Sequence, residues 1–271
     1  ASLEKNNRHL IEARKYKVYN LSDQEISMAV LVSRKKLVFI LVQFYLMFFS
    51  QYCFAKFSAG IGYIEVPEYR KDNAVSPLPF GWNTIPVISY RGESLSVFGP
   101  NIKFHLLKGP IAFDLSLKAS GDRYESRDIR LRDTTVDAGF SFRLYFLNFG
   151  YHKDIARTYK GENASVGLGW RFQVSDNFLF IPSLTREFYS KEFINFYYGV
   201  QNSESSYYSA YQVDDIGTKD VLHLSFIYII EQSGSIAFNL TQNQLGDRFT
   251  SSPTNAKDQF LVWSIFWSRE I

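Results

Sequence analysis

The feature that most limits the folds open to this chain is a strict alternation of apolar and polar residues. Ile111, Phe113, Leu115 and Leu117 fall on one side of an extended chain, and Ala112, Asp114, Ser116 and Lys118 on the other. Val136, Ala138, Phe140, Phe142 and Leu144 oppose Asp137, Gly139, Ser141 and Arg143 in the same way. Val166, Leu168, Trp170 and Phe172 oppose Ser165, Gly167, Gly169 and Arg171; Leu222, Leu224, Phe226, Tyr228 and Ile230 oppose His223 and Ser225. A period of two is the signature of a β-strand with two unlike faces. A helix would scatter Asp137 and Arg143 around its circumference.

Something must cover the apolar faces. A soluble two-sheet sandwich would turn them toward a core, and that is the plain alternative. Lipid is the other cover, and the composition favours it. Aromatic residues make up 17% of the chain while the mean hydropathy is only −0.16. Helical membrane proteins need much longer apolar runs, whereas a transmembrane barrel averages lipid-facing and lumen-facing positions. Aromatic residues near strand ends, Tyr63, Tyr90, Tyr145, Tyr189, Trp263 and Trp267, sit where interfacial girdles belong. The expected fold is therefore all-β, a transmembrane antiparallel up-and-down barrel of about twelve strands.

An export leader supports that reading. Arg34-Lys35-Lys36, the apolar run Leu37 to Ser50 and the short segment Gln51-Tyr52-Cys53-Phe54-Ala55 have the three parts of a secretory signal. Cleavage is expected between Ala55 and Lys56. The run is short for a transmembrane helix and carries Gln43 and Gln51. Bulky residues before Cys53 weigh against a lipoprotein signal. Residues 1–33 form a polar extension, and translation from Met28 would give an ordinary signal n-region, so the expected organisation is 1–33 extension, 34–55 signal core and 56–271 barrel.

Removing the leader changes the charge argument. Of 30 Lys/Arg and 27 Asp/Glu, residues 1–55 hold 8 and 4, which leaves 22 and 23 in a nearly neutral remainder. No basic patch interleaved with aromatics remains, so a nucleic-acid partner is not expected. The only cysteine, Cys53, lies in the leader; residues 56–271 can form neither a disulfide nor a cysteine metal site.

Strands are expected to begin near Phe57, Thr84, Leu95, Ile111, Thr135, Leu147, Ala164, Phe178, Phe193, Val221, Gly234 and Gln259. Three connections are long, Pro67 to Trp82, Ser120 to Asp133 and Gln201 to Lys219. Long loops normally face outside the cell and short turns the periplasm, yet strict alternation of the two does not emerge from these strand starts.

Candidate functional residues follow from the faces. Asp114, Lys118, Asp137, Arg143, Arg171, His223 and Ser225 are expected to face the lumen, filling it or lining a narrow pore. Arg123, Arg127, Arg130 and Arg132 could contact lipopolysaccharide phosphates or a partner protein, since guanidinium binds phosphate through paired donors. Alternatively the acids Asp122, Glu125, Asp128 and Asp133 neutralise them in a solvated loop. His223 and Ser225 have a spacing at which a histidine could activate a serine, but no orienting third group is identifiable, and polar lumen lining accounts for both. No catalytic group, cofactor site or metal site is expected; no two histidines have metal-ligand spacing. Gly92 is expected to supply turn geometry, and Pro77 and Pro79 to stiffen a loop entering a strand.

Several fragments in order point to a family. Gly60-Ile61-Gly62 with Pro67-Glu68-Tyr69, Ser76-Pro77-Leu78-Pro79, Ile88-Ser89-Tyr90-Arg91-Gly92, Leu131-Arg132-Asp133, Tyr197-Tyr198-Gly199-Val200, Ala210-Tyr211 and Ser252-Pro253 resemble the MipA/OmpV family, the MltA-interacting proteins. The resemblance runs from about Phe57 to Trp267. It departs from the family pattern at Asn243-Gln244-Leu245 and at the closing Trp267-Ser268-Arg269-Glu270-Ile271. It implies a non-enzymatic barrel in the outer membrane of a Gram-negative cell, in contact with its lipid and lipopolysaccharide. It further implies a scaffold joining a murein lytic transglycosylase to a penicillin-binding protein; a porin-like channel or an adhesin is the alternative. No partner-binding residue carries over.

Overall fold

In the computed structural model, which describes residues 56–76, 78, 82–231 and 233–271, the alternating segments pair into a closed antiparallel wall. Its strands are β1 (Lys56–Glu65), β2 (Thr84–Arg91), β3 (Leu95–Phe98), β4 (Asn101–Leu107), β5 (Ile111–Ser120), β6 (Thr135–Leu144) and β7 (Leu147–Asp154). They continue with β8 (Glu162–Gly169), β9 (Phe172–Ser175), β10 (Phe178–Tyr189), β11 (Gly217–Ile230), β12 (Gly234–Leu245) and β13 (Gln259–Glu270). The ring closes where β1 meets β13, from Ser58 opposite Glu270 to Glu65 opposite Trp263. β8 and β9 are two parts of one interrupted strand: β8 lies along the Ser183–Tyr189 half of β10, and β9 along Phe178–Phe180. Thirteen segments thus make a twelve-stranded up-and-down barrel, the fold that the alternation implies.

The count of twelve is reached with one strand gained and one lost. The strand beginning at Leu95 stops at Phe98, and after Gly99, at φ 53°, and Pro100 a separate strand β4 begins. Near Phe193, where a strand is expected, the chain forms helix α1 (Lys191–Tyr197). Its aromatic and branched residues look strand-like in composition, but Ser190 caps the helix by accepting from the Phe193 amide, and Phe193, Ile194 and Tyr197 are the face it buries. A second short helix, α2, spans Asp247–Thr250.

With β4 in place the connections alternate. One mouth carries the short turns 92–94, 108–110, 145–146, 176–177 and 231–233. The described residues of 66–83, with the segments 121–134, 155–161, 190–216 and 246–258 and the turn 99–100, lie at the other. Lys56 and Glu270 meet at the short-turn end through a 2.8 Å ion pair.

Register decides which side chains share a face. Leu115, Phe140, Leu184, Leu222 and Leu261 all fall on the outward face and stay 39–54% exposed, an apolar belt that hydrocarbon can cover. The opposite face is concave, because its side chains reach one another across intervening strands. Ser116 on β5 hydrogen-bonds His152 on β7 at 2.8 Å over Gly139 of β6, where an added Cβ would come within 2.7 Å of the imidazole. Lys118 on β5 reaches Asn163 on β8 at 3.3 Å. Of the expected girdle, Tyr63 and Trp263 pack together outside, with ring centroids 5.3 Å apart, and the Trp267 indole N–H donates to the Ser233 carbonyl at the short-turn end. Tyr189 departs from it: the ring turns inward onto Phe193, centroids 4.4 Å apart. Among the described residues no helix is long and apolar enough to cross a membrane.

Candidate functional site

Among the described residues the fully buried apolar side chains lie outside the strands. Tyr124, Ile129, Ile194, Tyr197, Val200, Phe249 and Thr254 are each at most 2% exposed, and all belong to the connections at the long-loop mouth. Those connections fold together as a cap. Bridges between Arg70 and Asn255, Tyr124 and Arg132, and Val200 and Tyr211 give them short stretches of ladder. One apolar cluster joins Tyr159, Phe193, Ile194, Tyr197, Tyr198, Val213 and Phe249 with Leu245 at the end of β12; a second joins Tyr124, Ile129, Val200 and Tyr208. Gly121, at φ 119°, passes so close to Tyr197 that an added Cβ would come within 2.3 Å of the phenol oxygen.

Arg70 is the centre of the cap. Its Nη1 donates to Asp122 at 2.7 Å, and its Nη2 donates to the Tyr197 carbonyl at 2.9 Å and to Thr254 Oγ1 at 2.8 Å. The guanidinium lies between two rings, 4.0 Å from the centroid of Tyr124 and 4.1 Å from that of Tyr198. Four loops thereby converge on one buried cation. Tyr69 adds a hydroxyl donor to Asp122. Burial is the largest influence on Arg70 and opposes its charge, but Asp122 together with Tyr198, Tyr69 and Tyr124 outweighs it and holds the guanidinium above its ordinary pKa. The phenols of Tyr69 and Tyr198 are pushed far up, first by burial and then by the charge of Asp122. Burial and the nearby Asp137 raise Tyr159 and Tyr197 in the same direction.

A second node ties loop 121–134 to loop 190–216. Arg132 Nη2 donates to both carboxylate oxygens of Glu204, at 2.8 and 2.7 Å, with its guanidinium 5.4 Å from the Phe196 ring. Both partners are buried. A buried pair of this kind adds little relative to an apolar replacement, but removing one partner strands the other charge.

Below the cap the interior is polar. Asp137 is fully buried and accepts from Tyr159 Oη and Asn163 Nδ2, both at 2.9 Å. Asp114 bonds His105 at 2.6 Å, and Lys219 pairs with Glu187 at 2.7 Å. Lys118 faces the same interior. His223 Nδ1 meets Thr241 Oγ1 at 2.9 Å and Ser225 is buried on the same face, with no hydrogen bond joining the two among the described residues. Arg143 lies at the short-turn end, exposed, donating to the Gly109 carbonyl. Arg171 is also exposed; it falls in the two-residue interruption between β8 and β9, across which the register against β10 is kept and the Trp170 amide donates to the Pro182 carbonyl at 3.1 Å.

The four loop arginines separate. Arg127 is exposed 5.6 Å from the Tyr207 ring, and Arg130 is exposed. Arg123 donates to the Ser76 carbonyl and lies 3.5 Å from Asp133. Arg132 does not serve as a surface contact, because it is buried in the cap with its Nη2 on Glu204. The charge neutralisation expected within the segment is also redistributed: Asp122 pairs with Arg70, and Arg132 with Glu204, over sequence separations of 52 and 72. Nothing in the local sequence distinguished Arg70 or Glu204 from surface charges. Gly92 has no positive φ; its amide donates to the Leu95 carbonyl, and the Tyr90 hydroxyl lies 2.9 Å from where its Cβ would be. Ala55, Pro77 and Pro79, with the whole leader, lie outside the described residues. Among the described residues no group of three or more His, Cys, Asp or Glu could hold a metal ion.

Comparison with known proteins places this geometry among relatives. The family model described as "MltA-interacting protein MipA" matches residues 59–266. A protein of Escherichia coli O157:H7 named "Putative outer membrane protein YiaT" is 27% identical over 220 residues, which cover 72% of this chain and 82% of that one. Among solved structures, the outer membrane protein OprD of Pseudomonas aeruginosa superposes with a TM-score of 0.31 at 11% identity, over 80% of this chain and 59% of that one. OccAB3 of Acinetobacter baumannii gives 0.32 at 10% identity, over 69% and 52%. The chain thus spans little more than half the length of these two structures.

Proposed function

On the premise that this chain belongs to the family of MltA-interacting protein MipA, we propose that it is a non-enzymatic scaffold for murein-remodelling enzymes, a lytic transglycosylase and a penicillin-binding protein. The protein is an outer-membrane β-barrel, with an apolar belt outside and polar side chains within. The observation that favours a scaffold over an open channel is the cap, at the mouth opposite the proposed docking turns. Four connections are locked together by Arg70 and the Arg132–Glu204 pair, and a fifth, 155–161, packs onto them through Tyr159, a construction suited to a fixed platform rather than a freely open mouth. The short turns, on the side that faces the periplasm in barrels of this kind, are where murein enzymes would dock.

Affinity capture from solubilised envelopes tests this directly. The purified barrel is expected to retain both enzyme classes, and substitutions in the turns 108–110 and 145–146 to weaken that retention while cap substitutions leave it. Clean loss of both partners from the wild-type eluate overturns the reading. A diffusion channel is the second reading, favoured by the charged interior of Lys118, Glu187 and Lys219. A robust, ion-selective conductance in planar bilayers would decide for it.

A further inference from the structure

The wall is not equally tall all round. β10 and β11 share twelve residue pairs, whereas β2 and β3 share three, and β3 and β4 four. The β3–β4 hairpin turns at Gly99 and Pro100, level with Ile88, whose carbonyl accepts from the Gly99 amide at 3.2 Å. Above that tip, Thr84–Val87 of β2 and Ala119–Ser120 of β5 have no strand partner on the sides that face each other among the described residues. Among the described residues two strands are absent from the ring at this height, and three interstrand spacings separate β2 from β5 by about 14 Å, a notch in the described wall. Proline removes one backbone donor from the exposed edge. Ile88 turns its backbone groups toward the hairpin, so Pro86, two residues on, presents the same edge and has no N–H to leave unpaired.

Side chains at the notch are amphipathic. Phe98, on the inward face at the hairpin tip, remains 53% exposed and meets the Phe266 ring edge-on at 6.3 Å. Val87 lines the same interior, and Ile88 lies outside. Beside them Lys103 on β4 and Lys118 on β5 face inward; the Lys118 ammonium reaches Asn163 on β8, and neither lysine forms an ion pair among the described residues. An apolar rim opening onto inward lysines is complementary to an anionic amphiphile of the surrounding phase. We propose that the notch admits an anionic phospholipid, its phosphate inside beside Lys103 and Lys118 and its acyl chains passing Phe98 and Ile88 into the bilayer.

Photo-crosslinking in liposomes tests the proposal. Phe98→p-benzoylphenylalanine places the probe inside the notch, Ile88→p-benzoylphenylalanine outside it at the same height, and Asn239→p-benzoylphenylalanine inside the uninterrupted wall. Barrel closure of each variant is verified by heat-modifiable migration. Intact mass is expected to report phosphatidylglycerol adducts at positions 98 and 88 and none at 239. Adducts at 88 without 98, or equal adducts at 98 and 239, overturn the proposal. Lys103→Glu is expected to lower phosphatidylglycerol capture at position 98 by about fivefold relative to phosphatidylcholine, the size of one basic side chain's attraction to anionic lipid. An unchanged ratio also overturns it. Excess inorganic phosphate is expected to leave capture unaltered; abolition would make free phosphate the ligand and refute the lipid assignment.

Discussion

The barrel wall and the cap bury their residues by opposite means. In the wall, outward Leu115, Phe140 and Leu184 keep 39–54% of their surface exposed, and order comes from ladders between strands adjacent in sequence. In the cap, Tyr124, Ile194 and Val200 have no exposure, and order comes from side chains far apart in the chain, such as Arg70 with Thr254 over 184 residues. Wall stability is supplied by lipid and by backbone hydrogen bonds that any sequence can make. Cap stability resembles that of a small soluble domain, with a core and buried ion pairs of its own. The two should therefore fail separately.

The sharpest way to break the comparison is Arg70→Ala. It leaves Asp122 buried without its cation, at a cost of about 3–5 kcal/mol to the cap. Hydrogen exchange in 121–134 and 190–216 is expected to accelerate while heat-modifiable migration of the barrel persists. Simultaneous loss of both would show that cap and wall are one cooperative unit. The reciprocal test is Leu115→Arg on the outward face, expected to cost about 2–4 kcal/mol near the bilayer midplane and to be read as a lower urea midpoint for barrel unfolding in liposomes. Cap exchange should remain unchanged until the wall itself opens.

Alkali separates the regions more gently. Tyr69, Tyr159, Tyr197 and Tyr198 hold their phenols protonated through burial, with folded values above the ordinary one of about 10. Their contribution is complete below that unfolded value and drains away as pH rises from it toward the folded values. Protease sensitivity of the cap is expected to increase above pH of about 10, before heat-modifiable migration changes. The smallest effect is expected at the rim: Lys56→Ala removes an exposed pair with Glu270 and should shift the barrel's unfolding by less than about 1 kcal/mol.

How far the sequence could be read depended on the range of the interaction. Asp114, Ser116 and Lys118 announce their shared face because strand geometry repeats every two residues, whatever the rest of the molecule does. Ile102 and Phe104 carry the same signal, but a two-residue turn at Gly99-Pro100 hid the boundary between β3 and β4. Phe193 to Tyr198 misled in the other direction, since aromatic residues favour strands on average and only packing against Phe249 and Tyr159 makes the helix worthwhile. Arg132 looked like its neighbours Arg127 and Arg130. Its burial depends on Glu204, 72 residues away, and no local pattern encodes that distance.

By itself the sequence determined the barrel: alternation sets two faces, the outward one is too apolar for water, and closure pairs most of the edge groups that an open sheet would leave unsatisfied in hydrocarbon. Tertiary structure decided what the loops become and where the wall is low. Those outcomes rest on contacts between residues that the chain brings together only after the strands have closed, so their chemistry is invisible until the ring exists.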